Sequence, residues 1–185
     1  VTTDRRTVLA DAAIHVLAGG GMRGLTHRAV DRAAGMPPGT TSAYYRTRQA
    51  LLAGLVRRLV DRDQGELQAL GEAQPRPRNA DELVAGIAAF TETRLTGDGR
   101  ERSLARYACA VESARHPELR EILVPRENAA RDAVRDFLAA QGVKDAEGRT
   151  LTLLACVDGL VFDRLVGGGR VPTEEIQGLV EAALR

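Results

Sequence analysis

The chain has 185 residues, 44% of them hydrophobic and 28% charged, with a formal net charge of +1. That length allows one domain or a small one joined to a larger one, and the composition excludes a disordered chain. No apolar run approaches the ~20 residues needed to cross a bilayer, and no basic-then-apolar segment opens the sequence, so a cytoplasmic protein with no membrane partner is expected.

Helical periodicity covers almost the whole sequence, and no alternating run of β-branched residues between turn pairs marks a strand. The first predicted helix runs from about Asp4 to Ala18, with Val8, Leu9, Ala12, Ala13, Val16 and Leu17 at helical spacing, and Gly19-Gly20-Gly21 stops it. Thr26 caps a short second helix, whose inner face is Val30, Ala33 and Ala34 and which ends at Gly35. Pro37-Pro38 opens a third, reaching about Tyr45. Thr47 caps a long fourth helix striped with Leu51, Leu52, Leu55, Val56, Leu59 and Val60. Gly71 through Arg78, with Pro75 and Pro77, reads as a linker. Asn79 caps the fifth helix, with Glu82 spaced to reach back as in a capping box, and Gly97-Asp98-Gly99 breaks it. The sixth spans about Arg100 to Arg115. Pro117 marks the next junction, and Pro125 should bend or split the seventh before Gly142 ends it. The eighth carries Leu151, Leu153, Leu154, Val157, Leu160, Val161, Leu165 and Val166 and stops at Gly167-Gly168-Gly169. The ninth starts at Thr173 and carries Ile176, Leu179, Val180, Ala183 and Leu184. The fold class is therefore all-α, with about nine helices.

Charge is unevenly divided. Residues 1–50 hold seven arginines (Arg5, Arg6, Arg23, Arg28, Arg32, Arg46, Arg48) against three aspartates (Asp4, Asp11, Asp31), while the remainder is net acidic. The amino-terminal fifty residues are thus the part suited to a polyanion. Two short helices crossing through a glycine turn are what a helix-turn-helix requires. The second of them exposes Thr40, Thr41, Ser42 and Tyr44, whose hydroxyls can bond phosphates and whose threonine methyls can touch thymine methyls.

Leu25-Thr26-His27-Arg28-Ala29-Val30, Ala34-Gly35-Met36, Gly39-Thr40-Thr41-Ser42-Ala43-Tyr44-Tyr45, Thr47-Arg48 and Leu51-Leu52 together resemble the N-terminal domain of the TetR family of repressors. The nine-helix plan resembles that family over essentially the full length. The resemblance implies a helix-turn-helix DNA-binding domain at residues 1–48 and a helical effector-binding and dimerisation domain at residues 49–185. Carried over by position, Thr26, Tyr44 and Arg48 fall where the family clamps the DNA backbone, and Arg28, Pro38, Thr40 and Ser42 where it approaches base edges. Gly39, Thr41 and Tyr45 belong to the same DNA-facing stretch. Arg28 is suited to a guanine edge, with a phosphate contact or surface ion pair as the alternative. His27 is placed for either a backbone or a base contact. Pro37 stands where a capping serine is usual, Ser42 where tyrosine is common and Arg48 where lysine is common.

Two reading heads dock on successive major grooves of a palindromic operator only in a homodimer. The eighth and ninth predicted helices are the interface candidates, with Leu153, Val157, Asp158, Gly159, Leu160, Leu179 and Ala183 facing the partner; the alternative makes the eighth a central core helix. Asp158-Gly159 resembles a pair found in the family's dimer helix, and Arg106–Glu112 up to His116–Leu119 resembles its helix six to seven junction. By resemblance, the fifth to seventh helices form a chamber for a small-molecule effector, with Phe90, Arg94, Tyr107 and Glu112 as lining candidates or ordinary packing residues. Cys109 and Cys156 read as small buried hydrophobes rather than redox sensors. The histidines lack metal-ligand spacing, and no nucleophile–base pair or phosphate loop is present, so neither an enzyme nor a cofactor or metal is implied. The expected activity is sequence-specific DNA binding by a repressor released by its effector. The alternative is an effector-independent DNA-binding protein or activator on the same scaffold.

Overall fold

The computed structural model describes residues 4–73, 76–123 and 129–185, and all regular structure among them is helical. Ten helices follow in order: α1 (Arg5–Gly24), α2 (His27–Ala33), α3 (Thr40–Tyr44), α4 (Arg48–Ala73), α5 (Ala80–Leu95), α6 (Gly97–Ser113), α7 (Pro117–Leu123), α8 (Ala129–Ala140), α9 (Ala146–Gly167) and α10 (Thr173–Leu184). The count exceeds nine because the stretch read as one seventh helix holds both α7 and α8. Pro125, expected to divide it, lies outside the described residues.

The chain forms two compact units, Val1–Gln64 with Glu101–Arg126, and Gly65–Arg100 with Glu127–Arg185, and the first two of the boundaries fall inside α4 and α6. In the first unit, Leu9, Ala13 and Leu17 of α1, Leu25, Val30 of α2, Leu51, Leu55 and Leu59 of α4, Ala105 and Cys109 of α6 and Leu119 of α7 form one buried cluster. Each buried leucine contributes about 1.5–3 kcal/mol relative to exposure, so the α4 stripe read from the sequence is the chief brace of this unit. Gly19 and Gly20 stay helical, contrary to the expected stop. The break comes at Gly21, whose φ of 61° is left-handed and redirects the chain toward Thr26. Gly54 of α4 admits the Tyr45 ring: a Cβ there would sit 2.4 Å from its Cε1.

The second unit packs α5, α8, α9 and α10 around Leu83, Val84, Ile87, Val134, Phe137, Leu138, Leu153, Val157, Ile176, Val180 and Ala183. The start of α5 follows the predicted chemistry, and that of α9 uses a cap the sequence reading did not name. Asn79 accepts from the Glu82 amide at 2.9 Å, while the Glu82 carboxylate reaches back one residue further than expected, to the Arg78 amide at 2.9 Å. Asp145 caps α9 by accepting from the Gly148 amide at 3.1 Å. Two expectations shift. Helix α4 continues through Gly71 to Ala73, into the stretch read as linker. Gly97-Asp98-Gly99 follows the end of α5 at Leu95 as read, but α6 already starts at Gly97 instead of about Arg100, and a side chain at Gly99 would fall 1.8 Å from the Thr93 carbonyl oxygen. No described helix is long and apolar enough to cross a membrane.

Candidate nucleic-acid interface

Helix α2 begins where the Thr26 hydroxyl accepts from the Ala29 amide at 3.2 Å. It ends on Ala34, and Gly35 turns with φ 63°, letting the Met36 amide return to the Asp31 carbonyl at 2.9 Å. Helix α3 is shorter than read from Pro37-Pro38. Its first residue is Thr40, and the residue before it, Gly39, takes φ 93° and has no side chain to cap with. The missing cap comes from Asp31 of α2. One carboxylate oxygen accepts from the Gly39 amide at 2.8 Å; the other accepts from the Thr41 amide at 2.7 Å and the Thr41 hydroxyl at 2.5 Å. Asp31 is only 2% exposed. Burial alone would raise its pKa, but these hydrogen bonds from Thr41 and Gly39, with a smaller contribution from His27, hold it below the ordinary carboxylate value. Sequence reasoning missed Asp31. The signal was indirect: a short helix opening on Pro-Pro-Gly has no side chain of its own to satisfy its first amides.

Among the sequence-predicted residues, Thr26, Arg28, Pro38, Gly39 and Ser42 are exposed, and Thr40 and Tyr44 are half-buried. The Thr40 hydroxyl donates to the Pro37 carbonyl at 2.7 Å. Two expectations are corrected, those for Thr41 and Tyr45, and His27 and the exposed Arg48 have internal partners. Thr41 is fully buried, its hydroxyl consumed by Asp31, so it sets the position of α3 instead of facing outward. Tyr45 is also buried: its ring lies against Gly54 and its hydroxyl donates to the Arg6 carbonyl at 3.2 Å. Burial, the largest influence, raises the Tyr45 pKa. The half-buried His27 donates from Nε2 to the Tyr45 carbonyl at 2.7 Å, joining the start of α2 to the end of α3. Arg48 turns its guanidinium onto the carbonyls of Leu25 and Met22, closing the C-terminal turn of α1. Ala33, read as an inner-face residue, is exposed, whereas Val30 is buried.

The charge surplus of the head is directed outward. Asp31 is internal, and Asp11 is held by a two-point pair with Arg58, at 2.8 and 2.9 Å. Asp4 accepts from the Arg6 amide at the start of α1. Arg5, Arg23, Arg28, Arg32 and Arg46 are exposed and make no ion pair among the described residues. Arg28 and Arg32 stand one turn apart on α2, an unrelieved like-charge pair that destabilises an isolated helix by a few tenths of a kcal/mol. Arg32 and Arg46 were visible only in the charge count. Arg6 lies 5.9 Å from the Tyr44 ring centroid and 6.0 Å from that of Tyr45.

The residues proposed for the body divide between the two units. In the second, Arg94 is buried and stacks over Phe90 at 5.1 Å. In the first, Tyr107 and Glu112 are half-buried, and Glu112 pairs with His116 at 3.2 Å. Leu153, Val157 and Ala183, expected to face a partner subunit, are committed to the second unit's own core. Asp158 and Gly159 are exposed, and Leu160 and Leu179 are half-buried. The outward stripe of α9 is instead Leu151, Ala155, Gly159, Phe162 and Val166, with Leu151 50% and Val166 76% exposed. Cys109 is buried, which pushes its thiol pKa up to about 12, whereas Cys156 is exposed, contrary to expectation. Asp63 is buried and accepts from Arg106 at 2.9 Å.

The sequence model of the family described as tetracycline repressor-like, C-terminal domain, matches residues 78–185. No curated protein matches the chain. Several solved structures are similar. A transcriptional regulator from Rhodococcus sp. Rha1 is 26% identical, with a TM-score of 0.76 over 98% of this chain and 94% of that one. A TetR-family member from Streptomyces coelicolor A3 is 23% identical, with a TM-score of 0.71 over 98% of this chain and 99% of the other. The multidrug binding protein EbrR complexed with ethidium is 24% identical, with a TM-score of 0.70 over 99% of both chains. A match over more than half of the sequence, on a ten-helix body with a short-helix pair at its amino terminus, shows that the chain belongs to the TetR family of transcriptional regulators.

Proposed function

We propose that this protein is a homodimeric, sequence-specific DNA-binding regulator that represses from a palindromic operator and is released by a small-molecule effector. The observation that carries the reading is the outward face of α2 and α3. Arg28 and Arg32 lie there without a carboxylate, beside Pro38, Gly39 and Ser42, on a pair of helices locked together by Asp31. An unneutralised guanidinium pair gains far more beside phosphates than in water, and a rigid helix pair presents side chains to a major groove in fixed register. Residues 1–48 serve as the reading head and 49–185 as the effector and dimer body. The exposed stripe on α9 supports the dimer, since Leu151 is 50% and Val166 76% exposed and Gly159 leaves open space for close approach. Helix α4 supports coupling: its 26 residues form a continuous helix about 39 Å long that starts at the reading head. A neighbour in fold that binds ethidium supports a small organic effector.

Fluorescence anisotropy with the duplex flanking its own gene tests the reading. Sequence-preferring binding that weakens steeply with salt is expected. Equal affinity for every duplex, or none for any, would refute it.

A further inference from the structure

The chain enters α2 through a turn with little strength of its own. The end of α1 carries Gly19, Gly20, Gly21 and Gly24, the residue type that loses most backbone freedom on folding. Gly21 breaks the helix with φ 61°, and the Leu25 amide returns to its carbonyl at 3.3 Å. Two side chains hold this turn to the other end of the head. Arg48 forks its guanidinium onto the carbonyls of Met22 and Leu25, and Nε2 of His27 donates to the Tyr45 carbonyl at 2.7 Å. Residues 22–27, which lead into α2, are thereby tied at two points to residues 45–48, which lead from α3 into α4. The charge of Arg48 does not serve its own helix. It is the first residue of α4, where a cation opposes the helix dipole, whereas the carbonyls that end α1 favour one.

Resting on the proposed function, we infer that Arg48 and His27 are positioning residues: they staple the α1–α2 turn to the α3–α4 turn, set the angle at which α2 and α3 meet a duplex, and make no contact of their own with it. In this the chain departs from the role that the family resemblance gives Arg48, a clamp on the DNA backbone. The staple complements Asp31, which fixes α3 on α2. Arginine suits the task where lysine does not, because its planar fork meets two carbonyls at fixed spacing and an ammonium is a point charge.

The test uses the full chain, the duplex it enriches from a randomised pool, and an unselected duplex of the same length. A lost phosphate contact weakens every sequence alike and lowers the salt slope, whereas a lost positioning residue acts on the difference between sequences. Arg48→Ala should therefore lower the ratio of the two Kd values about tenfold, roughly the value of one base contact. Kd for the unselected duplex, and its slope against salt, should stay as in the wild type. His27→Ala should give the same signature. Arg48→Lys keeps the charge without the fork and should leave most of the loss in place. Equal weakening on both duplexes, with a slope lowered by about 2 in the dimer and restored by Arg48→Lys, would make Arg48 a phosphate clamp. That result would overturn the inference and leave DNA recognition intact, as would an unchanged ratio in both Arg48→Ala and His27→Ala. Failure of the wild type to enrich any duplex would overturn the inference and the proposed function together.

Discussion

Replacing Asp31 by asparagine probes the joint between α2 and α3 more directly than any surface change. The carboxylate receives three hydrogen bonds, from the Gly39 amide on one oxygen and from the Thr41 amide and hydroxyl on the other. Asparagine has one oxygen. If it stays on Thr41, its amide nitrogen faces the Gly39 N–H, donor against donor; turned round, it strands two donors of a residue with no solvent exposure. A hydrogen bond to a charged group is worth about 1.5–3 kcal/mol, and a stranded buried donor costs about 1–3 kcal/mol, so Asp31→Asn should destabilise the first unit by about 2–4 kcal/mol at neutral pH. The folded-state pKa lies below the ordinary one. The carboxylate's stabilisation is therefore complete above the unfolded value of about 3.9 and is lost as pH falls through the lower folded value. The gap between wild type and Asp31→Asn should accordingly close in strong acid. All three tyrosines lie in the first unit and the chain has no Trp, so tyrosine fluorescence during urea titration reports on this unit. Equal urea midpoints at pH 7, or a gap that stays constant into acid, would refute the capping role.

Other substitutions test the remaining parts. Gly54→Ala should destabilise the same unit by about 1–3 kcal/mol through overpacking against Tyr45, whereas Gly65→Ala on the same helix, with open space around it, should stabilise by about 0.5–1 kcal/mol; tyrosine fluorescence against urea and helix melting by circular dichroism check the pair. Arg28→Ala with Arg32→Ala should leave helicity unchanged and, with two cations lost from each protomer of the dimer, reduce the slope of log Kd against log salt by about 4, read by anisotropy; an unaltered slope would remove both from the phosphate contacts. Leu151→Asp with Val166→Asp should convert a dimer to a monomer in sedimentation velocity without loss of helix, since neither side chain contributes to the buried core.

Most helices were legible because helix formation here follows from local chemistry. Apolar spacing set α4 and α10, and the caps at Thr26 and Asn79 occur where a short acceptor precedes an amide-rich turn. Errors arose where a residue's partner is distant in sequence. Thr41 and Tyr45 look like outward groups on a helical wheel, but Asp31, ten residues away, and Gly54, nine residues on, bury them. Arg48 matched a basic clamp by position, yet the unsatisfied carbonyls at the end of α1, more than twenty residues upstream, take its guanidinium. The same limit applied to α9. Periodicity showed that Leu153, Val157 and Leu151 are apolar, but only the placement of α5 and α10 decides which of them the chain covers itself.

These misreadings share a physical cause that bears on function. A helix of five residues cannot hold its own geometry, since one or two turns do not repay the loss of backbone freedom. Its polar side chains are therefore drawn inward to fix it: Thr40 onto Pro37, Thr41 onto Asp31, and Tyr45 onto Arg6. The residues that remain fully exposed are proline, glycine, serine and alanine, with Tyr44 half-buried. Long donors able to engage a polyanion are found one helix earlier, on α2, or just after α3 at Arg46. Positioning and charge are thus assigned to different residues. A substitution on α3 should act on the register or shape of the reading surface, and one on α2 at Arg28 or Arg32 on its electrostatic attraction.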